Sequence, residues 1–203
     1  MTNAIKGIIF DMHGVLYFDK ISEVEKAFSN SLNIPYGEFR EFRRPYGKDL
    51  LAGKISTEFF LVALKKKFGI KKTIDEMVQL WEKSHTKIIT NFNSELLDYI
   101  KNIRKTRKVG LISNIYEIQA RVQRRTALFD SFSPCILSCE VGLAKPQKEI
   151  FELVLTEWNL KSQECIFVDD EEQNIVAAKN MGFSVVNFKG NEKLFPELKE
   201  LIG

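Results

Sequence analysis

Five short apolar runs bounded by turn residues set the strongest limit on what this chain can fold into: Ile8 to Phe10, Val109 to Ile112, Cys135 to Leu137, Cys165 to Val168, and Val185 to Phe188. Runs this short that are apolar at every position suit strands covered on both faces, as in a parallel sheet. Amphipathic segments lie between the later runs. Ser94 is placed to cap a helix carrying Leu96, Leu97, Ile100 and Ile103 on one face; Ile150, Phe151, Val154, Leu155 and Trp158 repeat that spacing; and a third helix from about Glu171 to Met181 stops at Gly182. Such alternation predicts an α/β fold with a doubly wound, Rossmann-like parallel sheet. With 203 residues, 44% of them hydrophobic, the chain can bury roughly 70% of its unfolded surface, enough for a core domain and a sizeable insertion.

The alternation fails from Phe18 to Thr90, where helical patterns follow one another without a strand: Ser22 to Leu32, Ser56 to Phe68, and Thr73 to Lys87, the last opening on a Thr73/Glu76 capping box. The predicted organisation is a core of residues 1–17 and 91–203 interrupted by a small helical domain of residues 18–90. Phe59, Phe60, Leu61 and Leu64 read as the interior of that insertion.

In an open α/β sheet, ligands gather beyond the carboxyl ends of the strands. There the sequence offers Asp11, Met12, His13 and Gly14 after the first run, Ser113 and Asn114 after the second, and Asp169 and Asp170 after the fourth. "GLAKPQ" brings Lys145 in from the loop after the third. Three crowded carboxylates repel unless a cation compensates them, and an all-oxygen set suits Mg²⁺. A carboxylate can also attack an electrophile and form a covalent intermediate. Lys145 and the Ser113 hydroxyl are suited to the oxygens of a phosphoryl group.

These four segments resemble the four motifs of the haloacid dehalogenase superfamily, in order, with the insertion where its cap domain lies. The resemblance spans essentially the whole chain. It implies Asp11 as nucleophile, Gly14, Ser113 and Asn114 around the phosphate, and Lys145 ordering nucleophile and phosphate. It also implies Mg²⁺ held by Asp11, the backbone carbonyl of His13, and Asp170, with Asp169 behind or acting through water. The family's first motif reads D-x-D-G-[TV]-L, and "DMHGVL" departs from it at His13. In family phosphatases the acid at that place protonates the leaving oxygen and then activates water, help worth about 10² to 10⁴ in rate. Three accounts follow: His13 is a substitute proton carrier, or it leaves a phosphate-binding protein of low turnover, or the protein is a dehalogenase whose halide needs no proton. The third fits least, because the metal-free dehalogenases lack the paired acids found here at Asp169 and Asp170.

Arg43 and Arg44, in "FREFRRPYG", are placed in the insertion as candidate contacts to an anionic part of the substrate. Asn174 is a candidate for fixing the metal-binding loop, His85 reads as an ordinary, partly exposed histidine, and Cys135, Cys139 and Cys165 read as buried thiols. A net charge of +3 and a pI near 8.6 lack the basic stripe of a nucleic-acid binder. No run suits a membrane span and "MTNAIKGIIF" lacks a leader's apolar segment, so the expected setting is cytoplasmic and the expected partner a small phosphorylated molecule.

Overall fold

In the computed structural model, which describes residues 4–18 and 20–203, the five apolar runs are the five strands β1 (Gly7–Phe10), β2 (Lys108–Ser113), β3 (Cys135–Leu137), β4 (Cys165–Asp169) and β5 (Ser184–Asn187). They form one sheet of order β3-β2-β1-β4-β5 in which every neighbouring pair is parallel. The last strand begins and ends one residue before the run read from sequence. Residues 1–3, at the head of the segment read for a leader, and Asp19, within the insertion, lie outside the described residues.

Period-two alternation sends the strand side chains to two separate cores. Ile8, Phe10, Leu111, Ile166 and Val168 enter the larger one, and Ile9, Ile112, Cys165 and Phe167 the smaller. Between β1 and β2 run α1 (Ile21–Ser31), α2 (Tyr36–Arg43), α3 (Gly47–Leu51), α4 (Thr57–Phe68), α5 (Ile74–Ile88) and α6 (Ser94–Ile103). Downstream come α7 (Glu117–Gln123), α8 (Ser138–Val141), α9 (Lys148–Trp158), α10 (Glu172–Asn180) and α11 (Asn191–Ile202). Ile150, Phe151, Val154 and Trp158 of α9, with Ile175 and Ala178 of α10, close the smaller core; α6 and α11 bring Leu96, Ile100, Leu194 and Leu198 to the larger.

The inserted helices start where their caps dictate. Ser56 Oγ accepts from Phe59 N–H at 3.1 Å, and Thr73 and Glu76 exchange both capping-box bonds, at 2.6 and 3.2 Å. The cap of α6 is Asn93, not Ser94: its Oδ1 accepts from Leu96 N–H at 3.2 Å while its Nδ2 donates to the Val15 carbonyl at 3.0 Å, tying the return of the chain to the β1 turn. Sequence patterning passes over α2 and α3, short helices broken by Pro45 in a 3₁₀ turn. Their apolar faces complete an aromatic cluster in which Phe28 stacks on Trp81 at 4.6 Å, with Phe39 and Phe60 against them. Phe60, Leu61 and Leu64 are buried as expected, but Phe59 is 58% exposed, because it points away from that cluster. Among the described residues no helix is long and apolar enough to cross a membrane.

Trp81→Ala removes the centre of this cluster and is expected to cost about 3–5 kcal/mol. A fall in the urea midpoint, followed by circular dichroism, measures it; an unchanged midpoint contradicts the packing described.

Candidate active site

The strand order reverses at β1, so the crevice at its carboxyl end, beside β4, is the switch point at which an open α/β sheet binds ligands. Asp11 leaves β1 with its backbone N–H still bonded to the Val168 carbonyl at 2.9 Å, which fixes its side chain at that mouth. The turn that follows closes through Leu16 N–H to the Met12 carbonyl and Gly14 N–H to the Tyr17 carbonyl, both at 2.8 Å. Gly14 has φ +79°, and a Cβ there would lie 2.2 Å from Asp170 Oδ2. Its requirement is therefore room for Asp170.

Lys145 is buried, and its Nζ donates to Asp11 Oδ1 at 2.5 Å and to Asp169 Oδ2 at 2.7 Å. Asn114 sets the loop that delivers it: Oδ1 accepts from Lys145 N–H at 2.8 Å and Nδ2 donates to the Lys145 carbonyl at 2.9 Å. Asn114, read from sequence as a phosphate contact, has its amide engaged in holding the lysine. Ser113 Oγ is buried with no hydrogen-bond partner among the described residues, an orphaned donor of the kind a bound oxyanion satisfies. Asp169 is fully enclosed; Glu171 N–H reaches its Oδ1 at 2.8 Å, and Asn174 Nδ2 reaches both its oxygens at 3.1 Å. Asp170 lines the cavity.

One oxygen each from Asp11, Asp169 and Asp170 lies within 4.8 Å of the others, and the His13 ring stands outside this cluster. Three carboxylates around one ammonium leave excess negative charge in a poorly solvated place. Burial, with Asp169 adding to it, pushes Asp11 up to about 7 despite the opposing pull of Lys145. Asp170 is raised by partial burial and by Asp169. Burial pulls Lys145 down, yet Asp11 and Asp169 outweigh it and hold the ammonium above its ordinary value. An all-oxygen set with surplus charge, and room for Asp170 secured by a glycine, fits a hard divalent cation.

His13, read from the sequence as a candidate substitute proton carrier, is shifted against that role. Burial, then Lys145 and His85, lowers it to about 3, so the ring is neutral at pH 7. Its Nε2 meets the Tyr17 hydroxyl and, at 3.5 Å, Gln119 Nε2. Gln119 Oε1 already accepts from Tyr116 N–H at 2.8 Å, which turns the amide's N–H face toward the imidazole. Nε2 is then an acceptor and the ring proton sits on Nδ1. His85 is buried, not partly exposed, and burial lowers it to about 4. Cys165 is buried as expected, whereas Cys135 and Cys139 are half-buried; burial pushes all three thiols up to about 12.

A cavity of about 440 Å³ opens over these groups, lined by Asp11, His13, Gly14, Asn114, Lys145 and Asp170, and also by Phe18, Lys20, Ile21, Leu51, Tyr116, Gln119, Glu171 and Asn174. Arg43 and Arg44 are not in its wall. Arg43 pairs through Nε with Glu25 Oε1 at 2.8 Å and donates from Nη1 to the Tyr116 hydroxyl at 2.6 Å, while Arg44 pairs with Glu41 on the surface. Tyr17, Tyr116 and Gln119 escaped sequence reading: no motif marks them, though each lies within six positions of one that is marked.

A buried acid held by a lysine stands at the switch point, beside two further acids and an orphaned hydroxyl. The chain belongs to the haloacid dehalogenase-like hydrolases, whose family model matches residues 5–182. It is 27% identical to the D-ribitol-5-phosphate phosphatase of Bacteroides thetaiotaomicron over 188 residues, 88% of this chain and 89% of that one. With the bifunctional epoxide hydrolase 2 of Sus scrofa it shares 22% identity over 98% of its own length but only 39% of that protein's. A HAD-like family hydrolase from Porphyromonas gingivalis superposes with a TM-score of 0.81 at 25% identity, covering 98% of each chain. A HAD family enzyme from Bacteroides thetaiotaomicron, crystallised with magnesium and inorganic phosphate, gives 0.78 at 23% identity, covering 94% of this chain and 97% of that one.

The raised Asp11 has a consequence for stability. A carboxyl held above its unfolded value is protonated in both states below about pH 4 and costs stability increasingly as pH rises, fully so above about 7. Asp11→Asn in EDTA is therefore expected to melt above the parent at pH 8, with the gap closing toward pH 4, in thermal scans. An equal gap at both pH values contradicts the assignment.

Proposed function

We propose that this protein is a Mg²⁺-dependent phosphatase of small, soluble phosphate esters that works through an aspartyl-phosphate on Asp11. The observation that carries this reading is the pairing of Asp11 with Lys145 at 2.5 Å, beside the unpartnered Ser113 hydroxyl. The phosphatase relative and the magnesium and phosphate complex of the structural relative lend it support. Asp11, Asp170 and the His13 carbonyl would hold the cation, with Asp169 behind them. When bound, the cation offsets charge on the phosphoryl oxygens and on the crowded carboxylates.

Asp11 attacks phosphorus in line with the ester oxygen, forming the acyl phosphate as the P–O bond to the alcohol breaks. Lys145 keeps the carboxylate aimed and charged, and Ser113 Oγ donates to a phosphoryl oxygen. Water then attacks phosphorus, returning free phosphate and the Asp11 carboxylate. The departing oxygen needs a proton in the first step and the water must lose one in the second. A neutral His13 whose Nε2 is occupied by Tyr17 supplies an N–H hydrogen bond but neither a strong acid nor a free base.

That geometry favours slow turnover, closest to the second of the three accounts of His13. The helices of residues 18–90, which bring Phe18, Lys20, Ile21 and Leu51 to the cavity wall, act in this reading as the cap that chooses the substrate. A dehalogenase has no use for the second acid at Asp170.

His13→Asp is expected to raise kcat/KM for an alkyl phosphate by about 10² to 10⁴, with a much smaller gain in kcat/KM on p-nitrophenyl phosphate, whose leaving group needs no proton. Steady-state phosphate release with Mg²⁺, Asp11→Asn serving as the blank, measures both. A loss on the alkyl phosphate larger than on p-nitrophenyl phosphate would assign the acid's work to His13 itself.

A further inference from the structure

The phosphoryl end of the cavity accounts for Asp11, Lys145 and Ser113, but it gives no task to a chain of buried and half-buried polar groups reaching the cavity from the inserted helices. Glu25 on α1 is 4% exposed; its Oε1 forms an ion pair with Arg43, 2.8 Å from Nε, and its Oε2 accepts from the Tyr36 hydroxyl at 3.4 Å. Arg43, on α2, then donates from Nη1 to the hydroxyl of Tyr116 at 2.6 Å. Tyr116 belongs to the other part of the chain, three positions after Ser113, and lines the cavity. Gly47 leaves the space for this meeting: a Cβ there would stand 3.2 Å from Arg43 Nη1 and 4.0 Å from the tyrosine oxygen.

A buried ion pair is a weak source of stability, and apolar side chains of similar volume serve packing as well. What this one does is orient a phenol. Because the guanidinium donates to the tyrosine oxygen, the O–H must point elsewhere, and among the described residues it meets no acceptor. Burial, the larger influence, and Glu25 together hold Tyr116 above its ordinary value against the pull of Arg43, so the proton remains on the oxygen at neutral pH. A cation donating to the same oxygen also makes that O–H a stronger donor.

We infer that Tyr116 is a specificity-determining residue that donates its O–H to a substrate hydroxyl lying outside the phosphate, with Arg43 and Glu25 as positioning residues behind it. The inference rests on the phosphatase reading and deepens it: the substrate class is a hydroxyl-bearing phosphate monoester, not a plain alkyl one. Arg43 thus serves recognition through Tyr116 without touching the substrate. The donor is assembled only when the inserted helices are seated on the core as they are here, since its two halves come from α2 and from the segment after β2.

Glycerol 3-phosphate and propyl phosphate share a chain length and differ in hydroxyls, so each is to be presented, with Mg²⁺, as a competitor of p-nitrophenyl phosphate turnover. The parent is expected to bind the hydroxylated ester roughly tenfold or more tightly than the plain one, as suits one well-placed hydrogen bond. Tyr116→Phe should bring the two inhibition constants to within about twofold by weakening only the hydroxylated ester. Glu25→Gln/Arg43→Met, which removes the positioning pair without stranding a buried charge, should do the same. A parent that does not discriminate between the esters, or a Tyr116→Phe variant that weakens both equally, overturns the inference while leaving the phosphatase reading intact. No turnover of p-nitrophenyl phosphate above the Asp11→Asn blank overturns both.

Discussion

One ammonium is shared between two buried carboxylates, and the rest of the structure serves that arrangement. Lys145 Nζ, within hydrogen-bonding distance of both Asp11 and Asp169, draws together the ends of β1 and β4 and the loop before α9. None of the three groups could be buried alone, since an unpaired charge in this setting would neutralise itself or take up water. The pairing leaves the site one positive charge short, and Asp170, admitted by the missing Cβ of Gly14, widens the deficit. A site with that deficit stabilises incoming positive charge and the phosphoryl group that a cation carries with it. Its electrostatic strain and its ligand preference have the same origin.

His13 takes its meaning from the same charge balance. An acid at that position would add another negative group to a crowded mouth, while a neutral imidazole adds none, and Tyr17 and Gln119 secure the neutral form by directing donors at Nε2. In the proposed reading the turn exchanges proton-transfer capacity for a less strained site. Asp11, Lys145 and the two neighbouring carboxylates are all in place, and what the histidine lacks is acidity at neutral pH.

Much of this is visible in the order of residues. All five strands are found within a residue or two, because side chains covered on both faces leave an unbroken apolar run. Asp11, Lys145, Asp169 and Asp170 are found because each follows a strand in a fold that collects ligands there. Patterning fails where contacts are long-range. Arg43 is legible as a cation in the insertion, but its engagement with Glu25 and Tyr116 depends on packing across elements 73 positions apart. Asn114 is legible as a polar residue after β2, yet its amide clasps the Lys145 backbone, a contact no spacing rule encodes. The depressed His13 needs the burial of its surroundings to be known, and the short helices α2 and α3 carry too few residues to show a period.

The central claim is that Asp11 accepts the phosphoryl group, and a second step slowed as the proposed function requires would make this directly observable. The protein is mixed with p-nitrophenyl phosphate and Mg²⁺, quenched in acid within the first turnover, and digested for mass spectrometry of the peptide carrying Asp11. The account predicts a peptide heavier by one phosphoryl group, labile to mild alkali, and present in larger amount than in His13→Asp, where the intermediate is hydrolysed faster. Release of phosphate with no modified peptide at any quench time, or a phosphoryl group found on a residue other than Asp11, would contradict it.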